Sequence, residues 1–355
     1  MPILPLFGHT TLAGRLERAA REHRLPASLL LHGPAGVGKQ RLALRLAQTL
    51  LCTAPEAPCG QCQSCRFALE LTHPDLHWYF PRPRLRDADP SADEVEADYA
   101  EARAERARAH GLYPAPSGSE GLYVATVRAM LQQAARSPAL GRRKLFVVGD
   151  AERMVPQEGS EQAANAFLKL LEEPPADTTL ILTSSEPGAL LPTIRSRVVA
   201  LRVAPLPATE VREFLRHEAV RIRLPDAPGA EEARLRLAAG CPGRLLESAE
   251  QGGGLEVARR LMEAAESGSR ARWLRAAAGL GAGRARGGFA SALEALTVLL
   301  HQQVRAAVER GDEARAVRLG GTLGAVEEAK ARARGNVNPQ LAGSVLLREL
   351  ARAVQ

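Results

Sequence analysis

The sequence predicts an α/β domain with a parallel sheet, followed by an all-helical remainder. Three observations support this prediction. A glycine-rich loop separates an apolar run from a helical pattern within residues 29–51. Further strand-like runs alternate with helical patterns up to about residue 203, which is typical of a doubly wound parallel sheet. From about residue 204 onward only helical patterns continue, separated by Pro- and Gly-rich breaks.

Size and composition indicate two or three compact units. The 355 residues exceed the roughly 250–300 at which a single hydrophobic core stops growing. No uninterrupted apolar run reaches the ~18 residues of a membrane helix, and the first residues lack the features of a secretory signal. We therefore expect a cytoplasmic protein whose five cysteines are thiols or metal ligands. The net charge of +7 is spread along the chain, so DNA binding and an incidental arginine excess fit it equally well.

The first predicted element is a strand at residues 29–32, which leads into a loop that fits the P-loop pattern G-x-x-x-x-G-K. Gly33, Gly36 and Gly38 let backbone N–H groups turn toward a phosphate, and Lys39 is placed to reach the terminal phosphates. We predict these four residues as a nucleotide-binding loop. The next position usually carries a hydroxyl that binds magnesium, but here it is Gln40, whose amide is a poor substitute.

Four cysteines follow the P-loop helix with the spacing C-x6-C-x2-C-x2-C. They are Cys52, Cys59, Cys62 and Cys65. Such spacing predicts a closed tetrahedral zinc site that stabilises the loop and leaves no position for a catalytic water. A redox cluster or an incidental cluster is the alternative. Cys241, alone in a helical region, is predicted to be a small core residue.

Residues 81–120 are rich in Pro, Arg, Asp, Glu and Ala, and we interpret them as an insertion. Few apolar residues interrupt the charged stretch from Asp93 to Arg108. We therefore expect the helix in this insertion to be solvated.

A second strand is predicted at residues 144–150, a helix at 162–171 and a third strand at 178–185. The second strand ends on Asp150, after which an active ATPase usually has a Glu that polarises the attacking water. Here Ala151 follows, and Glu152 is displaced by one residue, which turns a side chain to the opposite face of a strand. Together with Gln40, this predicts that ATP hydrolysis is absent or very slow. Nucleotide binding through the P-loop and Lys39 is still compatible with the sequence.

Three segments in order resemble the core of bacterial clamp-loader subunits, which belong to the AAA+ ATPases. They are DAERM at 150–154, AANAFLKLLEEPP at 163–175 and TIRSR at 193–197. The cysteine loop is also similar, as are short motifs at residues 24–26, 73–75, 241–244 and 336–341. The resemblance covers nearly the whole chain apart from the insertion. It implies an AAA+ domain at 1–203, a helical lid at 204–250 and a helical collar for oligomerisation at 251–355.

The resemblance also implies roles for single residues. Arg197 would be an arginine finger inserted into the ATP site of the adjacent subunit, although Val198 stands where a Cys is usual. Residues 183–185 would correspond to a polar sensor and Arg244 to the lid arginine, and a vestigial state is expected for both. Lys169 would face DNA in the assembled loader, but a solvated helix face explains it equally well.

The helix that starts at Asn338-Pro339, with an N-cap followed by proline, would belong to the collar, although the same pattern suits an intramolecular bundle. The implied partners are the gamma/tau and delta loader subunits, the sliding clamp and primer-template DNA. In this interpretation the chain is a stator that lends Arg197 and hydrolyses no ATP itself. One alternative is an active ATPase subunit of the same loader, against which Gln40 and Ala151 argue. The other is an independent P-loop phosphotransferase with a zinc-stabilised lid, which leaves Arg197 and the helical region without a purpose.

Overall fold

The computed structural model describes most of the chain in two compact units. The described residues are 2–87, 89–116, 120–154, 161–224, 230–246, 252–280, 285–334 and 338–354. The first unit comprises residues up to 115 together with 120–246, and the second comprises 116–119 together with 247–355. Each unit is described by itself below.

A five-stranded parallel sheet organises the first unit, in the order β2-β3-β4-β1-β5. The strands are β1 Ser28–His32, β2 Leu76–Tyr79, β3 Lys144–Val148, β4 Thr178–Ser184 and β5 Val199–Arg202. This confirms the predicted parallel sheet. The two strands that the sequence did not reveal, β2 and β5, lie at its edges. Each has only four residues, and β5 is mostly exposed, so neither carries the apolar run of a central strand.

The helices of this unit cover both the predicted elements and several shorter ones. They are α1 Thr10–Arg21, α2 Lys39–Leu51, α3 Gln63–Leu69, α4 Ala92–Arg108, α5 Val124–Ala135, α6 Glu161–Glu172, α7 Pro192–Arg195, α8 Ala208–Arg216, α9 Glu218–Arg223 and α10 Ala230–Ala238. Two 3₁₀ turns occur at Ala151–Met154 and Pro187–Ala189.

The core of this unit lies around the central strands. Every residue of β3 and of β4 is buried, as expected for parallel strands covered on both faces. At the edge strand β2, Trp78 and Tyr79, together with Phe80 just after the strand, are each no more than 1% exposed. Large apolar side chains therefore fill the space directly beside the strand ends at which the P-loop and Asp150 lie.

The helix predicted in the insertion exists as α4, but the expectation that it is solvated was wrong. Val95, Tyr99 and Ala102 are buried in the main core, and the Tyr99 hydroxyl donates a hydrogen bond of 2.8 Å to the Phe80 carbonyl. Ser91 caps the helix in a reciprocal capping box with Glu94. A narrow stripe at helical spacing is enough to anchor this helix, since the aromatic ring of Tyr99 buries far more apolar surface than its alanine-rich neighbours.

Residues 204–224 and 230–246 form a helical cluster within the first unit. Its core contains Leu206, Val211, Phe214, Val220 and Leu245. The division of this unit at residue 203 into an AAA+ domain and a lid stays a prediction.

Every element of the second unit within its described residues is a helix, as the fold class predicts. Its helices are α11 Gly252–Glu266, α12 Arg270–Gly279, α13 Ala285–Glu309, α14 Glu313–Arg334 and α15 Pro339–Val354. Leu293, Leu296, Leu300 and Leu350 are fully buried in its core. The predicted N-cap is confirmed, because the Asn338 side-chain oxygen accepts from the Gln340 N–H at 2.9 Å. Asn336 and Val337, part of a motif noted above, lie outside the described residues.

Within the described ranges, no helix combines the length and the apolar composition that crossing a membrane would require.

Candidate functional site

The P-loop joins β1 to α2 in the geometry that its glycines permit. Gly36 has φ 76° and Gly38 has φ 101°, both in the left-handed region that favours glycine. Gly33 lies so close to β5 that a Cβ atom there would come within 2.2 Å of the Val203 carbonyl oxygen. The loop therefore needs glycine at all three predicted positions, two for conformation and one for close packing.

Lys39 is buried and all three of its ammonium protons have acceptors inside the chain. Its Nζ donates to the carbonyls of Gly33 and Pro34 and to the Ser185 hydroxyl, each at 2.9 Å. Burial lowers the pKa of Lys39, and the nearby carboxylates of Asp150 and Glu152 act in the opposite direction. The structure thus brings the predicted phosphate-binding lysine together with the sensor segment 183–185.

Backbone from the segment around Arg244 packs directly on this loop. The Gly243 N–H donates to the Gly36 carbonyl at 2.9 Å, and a Cβ atom on Gly36 would come within 2.8 Å of the Arg244 nitrogen. On another side, a ring nitrogen of His9 lies 2.8 Å from the Val37 carbonyl. The loop is therefore held by contacts at Gly36 and Val37 as well as by Lys39.

Gln40 joins three other elements at the position where a magnesium-binding hydroxyl is expected. Its Nε2 donates to Asp150 Oδ2 at 3.0 Å, and its Oε1 accepts from Trp78 Nε1 at 3.1 Å and from the Tyr113 hydroxyl at 3.2 Å. A Cβ atom on Gly149 would lie 2.5 Å from Gln40 Oε1, so the amide fills the space in front of the strand end. The amide therefore takes one oxygen of Asp150 and occupies the space beside it.

The insertion contributes Tyr113 and Arg106 to this network, which sequence reasoning missed. The guanidinium carbon of Arg106 lies 3.2 Å from the ring centroid of Phe80, 3.7 Å from that of Tyr113 and 4.7 Å from that of Trp78. Burial lowers the pKa of Arg106 to about 10, so it stays a cation at neutral pH. Arg106 continues the spacing of the buried stripe on α4, and the aromatic run at residues 78–80, in and just after β2, offered it a partner. Together, these two patterns could have indicated an arginine enclosed by aromatic rings.

The displaced carboxylate of Glu152 faces the sensor segment. Its Oε1 accepts from the Ser185 N–H at 2.9 Å, and burial, with Asp150 nearby, raises its pKa. Asp150 has φ 47°, and its N–H donates to the Thr183 hydroxyl at 3.1 Å. The carboxylate of the half-buried Glu152 thus accepts a backbone N–H of its own chain, an arrangement that differs from that of a base aimed at an attacking water.

The four cysteine sulfurs lie within 4.8 Å of one another. The sulfurs of Cys52 and Cys62 are 3.9 Å apart, as are those of Cys59 and Cys65, and all four residues are free thiols. A tetrahedron with Zn–S bonds of about 2.3 Å has edges of about 3.8 Å, so the donor set fits zinc.

Backbone N–H groups also point at the sulfurs, as expected for thiolates. The N–H of Cys62 lies 3.3 Å from the Cys59 sulfur, and that of Cys65 lies 3.4 Å from the Cys62 sulfur. Burial opposes ionisation of Cys62, but N–H donors from Thr53 and Cys65 lower its pKa to about 6. Cys241, by contrast, is buried in the main core as predicted.

Arg197 lies at the surface, just after α7. Its Nη2 donates to Glu172 Oε1 at 2.7 Å, and its Nη1 donates to the Thr193 carbonyl at 2.9 Å and to the Ser196 hydroxyl at 3.1 Å. The side chain of Arg197 is 34% exposed. Lys169 is exposed on α6. The cysteines, the P-loop and Arg197 are therefore three separate features of one unit.

Comparison with known proteins identifies the family of the chain. Residues 8–207, more than half of the chain, match the family described as DNA polymerase III, delta subunit. DNA polymerase III subunit delta' of Pseudomonas aeruginosa is 36% identical over 217 residues, covering 60% of this chain and 52% of the relative. The Escherichia coli subunit of the same name is 30% identical over 231 residues, covering 64% and 55%. The chain thus spans about half the length of these curated relatives.

Among solved structures, a gamma subunit-related protein of DNA polymerase III from Thermotoga maritima has a TM-score of 0.44 and 18% identity. The match covers 96% of this chain and 99% of that one.

Proposed function

The chain belongs to the DNA polymerase III delta-prime family of clamp-loader subunits, and from this premise we propose that it is the non-hydrolysing stator of a loader. In this role it assembles with gamma/tau and delta subunits, helps place the sliding clamp on primer-template DNA, and lends Arg197 to the ATP site of a neighbour. The observation that carries the proposal is the bonding of Gln40 to Asp150. A subunit whose own side chain occupies the magnesium position would not hydrolyse ATP. It can still supply an arginine to the ATP site of another subunit.

The active ATPase subunit of the same loader is the competing function. Such a subunit needs a hydroxyl ligand for magnesium and a carboxylate that faces the attacking water. In this chain the first position holds the Gln40 amide, and Glu152 bonds to the Ser185 backbone instead. These contacts favour the stator over the ATPase.

The exposed position of Arg197 supports a role in trans. A finger has to present its guanidinium to a phosphate on another subunit, which an arginine buried within its own chain cannot do. The side chain of Arg197 is partly exposed, so its guanidinium can reach a phosphate on another subunit. Its contacts within the chain hold the guanidinium in place. In the assembled loader, Lys169 on the exposed face of α6 would be available to DNA.

We further propose that Cys52, Cys59, Cys62 and Cys65 hold a structural zinc ion. With four protein ligands the ion would have no open position, so it would fix the segment between α2 and α3 without taking part in hydrolysis. Residues 204–250 would form the lid and 251–355 the collar through which subunits assemble.

Reconstitution tests the main function. Mixed with the gamma/tau and delta subunits of its own loader, the chain is expected to elute in one stable complex, and that complex should load the clamp onto primed DNA. Omitting the chain should reduce loading to the background rate. A chain that elutes alone at micromolar concentrations, or a loader that works equally well without it, would contradict the proposal.

The isolated chain is expected to release phosphate from ATP no faster than a buffer blank, because magnesium lacks its hydroxyl ligand. Steady-state phosphate release measures this, with Lys39→Ala as the matched control. Turnover comparable to that of an active loader subunit, abolished by Lys39→Ala, would show that Gln40 and Glu152 do support hydrolysis, and the ATPase function would replace the stator.

A further inference from the structure

Arg197 is held by groups from two different elements. Glu172, the last residue of α6, accepts from Nη2 at 2.7 Å. The carbonyl of Thr193 and the hydroxyl of Ser196, in and just after α7, accept from Nη1 at 2.9 and 3.1 Å. A long side chain at the surface ordinarily samples many rotamers, so contacts at both terminal nitrogens restrict it strongly.

The three contacts restrain the guanidinium but do not use all of its N–H donors. An arginine has five N–H donors, and the three contacts above use three of them. Two donors therefore stay available for an incoming anion, as far as the described residues are concerned. Because Nη1 and Nη2 are fixed from the side of the chain itself, the planar group presents its remaining edge in one orientation.

We propose that Glu172 is a positioning residue for Arg197: it orients the guanidinium so that its free donors reach the phosphate of a nucleotide bound to the adjacent subunit. This inference rests on the proposed function of Arg197 in trans. The carboxylate acts through Arg197 and touches no nucleotide itself. Both side chains are partly exposed, 34% for Arg197 and 47% for Glu172. Exposed ion pairs contribute little to folding stability, so the main effect of Glu172 would be on the orientation of Arg197.

A positioning role and an inhibitory role predict opposite results. If Glu172 positions Arg197, then its removal lets the arginine sample unproductive rotamers, and hydrolysis on the adjacent subunit slows. If Glu172 instead sequesters Arg197, then its removal frees the arginine and hydrolysis accelerates. The unsaturated donors favour positioning, because a sequestered arginine would have its anion-binding edge covered.

The test uses the complete loader with only the ATP site facing this chain left active. Glu172→Ala is expected to slow single-turnover hydrolysis at that site by about fivefold, the factor that a loss of close to 1 kcal/mol in one charge-assisted contact produces. The concentration of ATP that gives half the maximal rate should not change, since only the orientation of Arg197 is affected. Glu173→Ala, which removes the neighbouring carboxylate, is the matched control and should retain the wild-type rate.

A double variant separates positioning from a general structural effect. In an Arg197→Ala background, Glu172→Ala should cause no further loss, because the residue it positions is gone. An unchanged or faster rate with Glu172→Ala alone, or an equal loss in both backgrounds, overturns the positioning role. Failure of the underlying function looks different: in that case Arg197→Ala itself has the wild-type rate.

Discussion

Replacing Arg197 with Ala is expected to slow ATP hydrolysis at the facing site of the assembled loader by roughly 10³–10⁵, the range known for arginine fingers. The change should leave the subunit folded and assembled. Its ion pair with Glu172 is exposed, and pairs of this kind contribute about 0–1 kcal/mol to the free energy of unfolding. The catalytic effect should therefore exceed the effect on stability by a wide margin.

The measurement has to isolate one site. In the proposed loader, arginine fingers at other subunit interfaces would stay intact, so total turnover would fall only in part. Single-turnover hydrolysis at the facing site, together with clamp loading onto primed DNA, is decisive. Arg195→Ala, which removes an exposed arginine on the preceding helix, is the matched control. Wild-type rates in both assays from a correctly assembled Arg197→Ala loader would exclude the role in trans and leave a purely architectural subunit.

Metal analysis of the purified chain should find about one zinc ion per molecule, bound by the four-cysteine cluster. Cys62→Ser removes one of the four ligands and is expected to abolish stable binding, since a closed site depends on all of its thiolates. Zinc sites of this type contribute roughly 10–16 kcal/mol of apparent binding free energy in small peptides. In Cys62→Ser, proteases should consequently cleave the segment between α2 and α3 faster than in the wild type.

The fifth cysteine provides the control for this experiment. Cys241→Ala changes a thiol that lies in the core apart from the cluster, so the zinc content should stay at the wild-type level. A wild-type chain that is fully folded under reducing conditions and takes up no zinc when it is offered would show that the cluster is not a metal site.

The sequence predicted the parts of the fold that depend on local pattern. Strands β1, β3 and β4 are continuous apolar runs, and the P-loop has a spacing fixed by backbone geometry, so each could be identified from neighbouring residues alone. The four cysteines were grouped correctly because only six residues at most separate neighbours in the cluster. In each case the residues that carry the pattern are close in sequence, even though the strands pair with distant partners.

What the sequence did not reveal depends on contacts between distant residues. Arg106 is enclosed by the rings of Trp78 and Phe80, in and just after β2, and by that of Tyr113 in the insertion. The stripe on α4 indicates burial at position 106, but which rings enclose the guanidinium is set by the tertiary fold. Likewise, Gln40 was recognised as the wrong ligand for magnesium, but its bonds to Trp78 and Tyr113 cross 38 and 73 residues of sequence. Pairing at such separations is specified by the tertiary fold and not by local propensity.

In the proposed stator, the Gln40 network would make a return to ATP hydrolysis difficult in evolution. A mutation of Gln40 to Thr would restore the hydroxyl but remove the acceptor for the Trp78 and Tyr113 donors, and a buried unsatisfied group costs about 1–3 kcal/mol. A return to hydrolysis through Gln40→Thr would therefore carry a cost in stability, which would favour keeping the stator role once a lineage has acquired it.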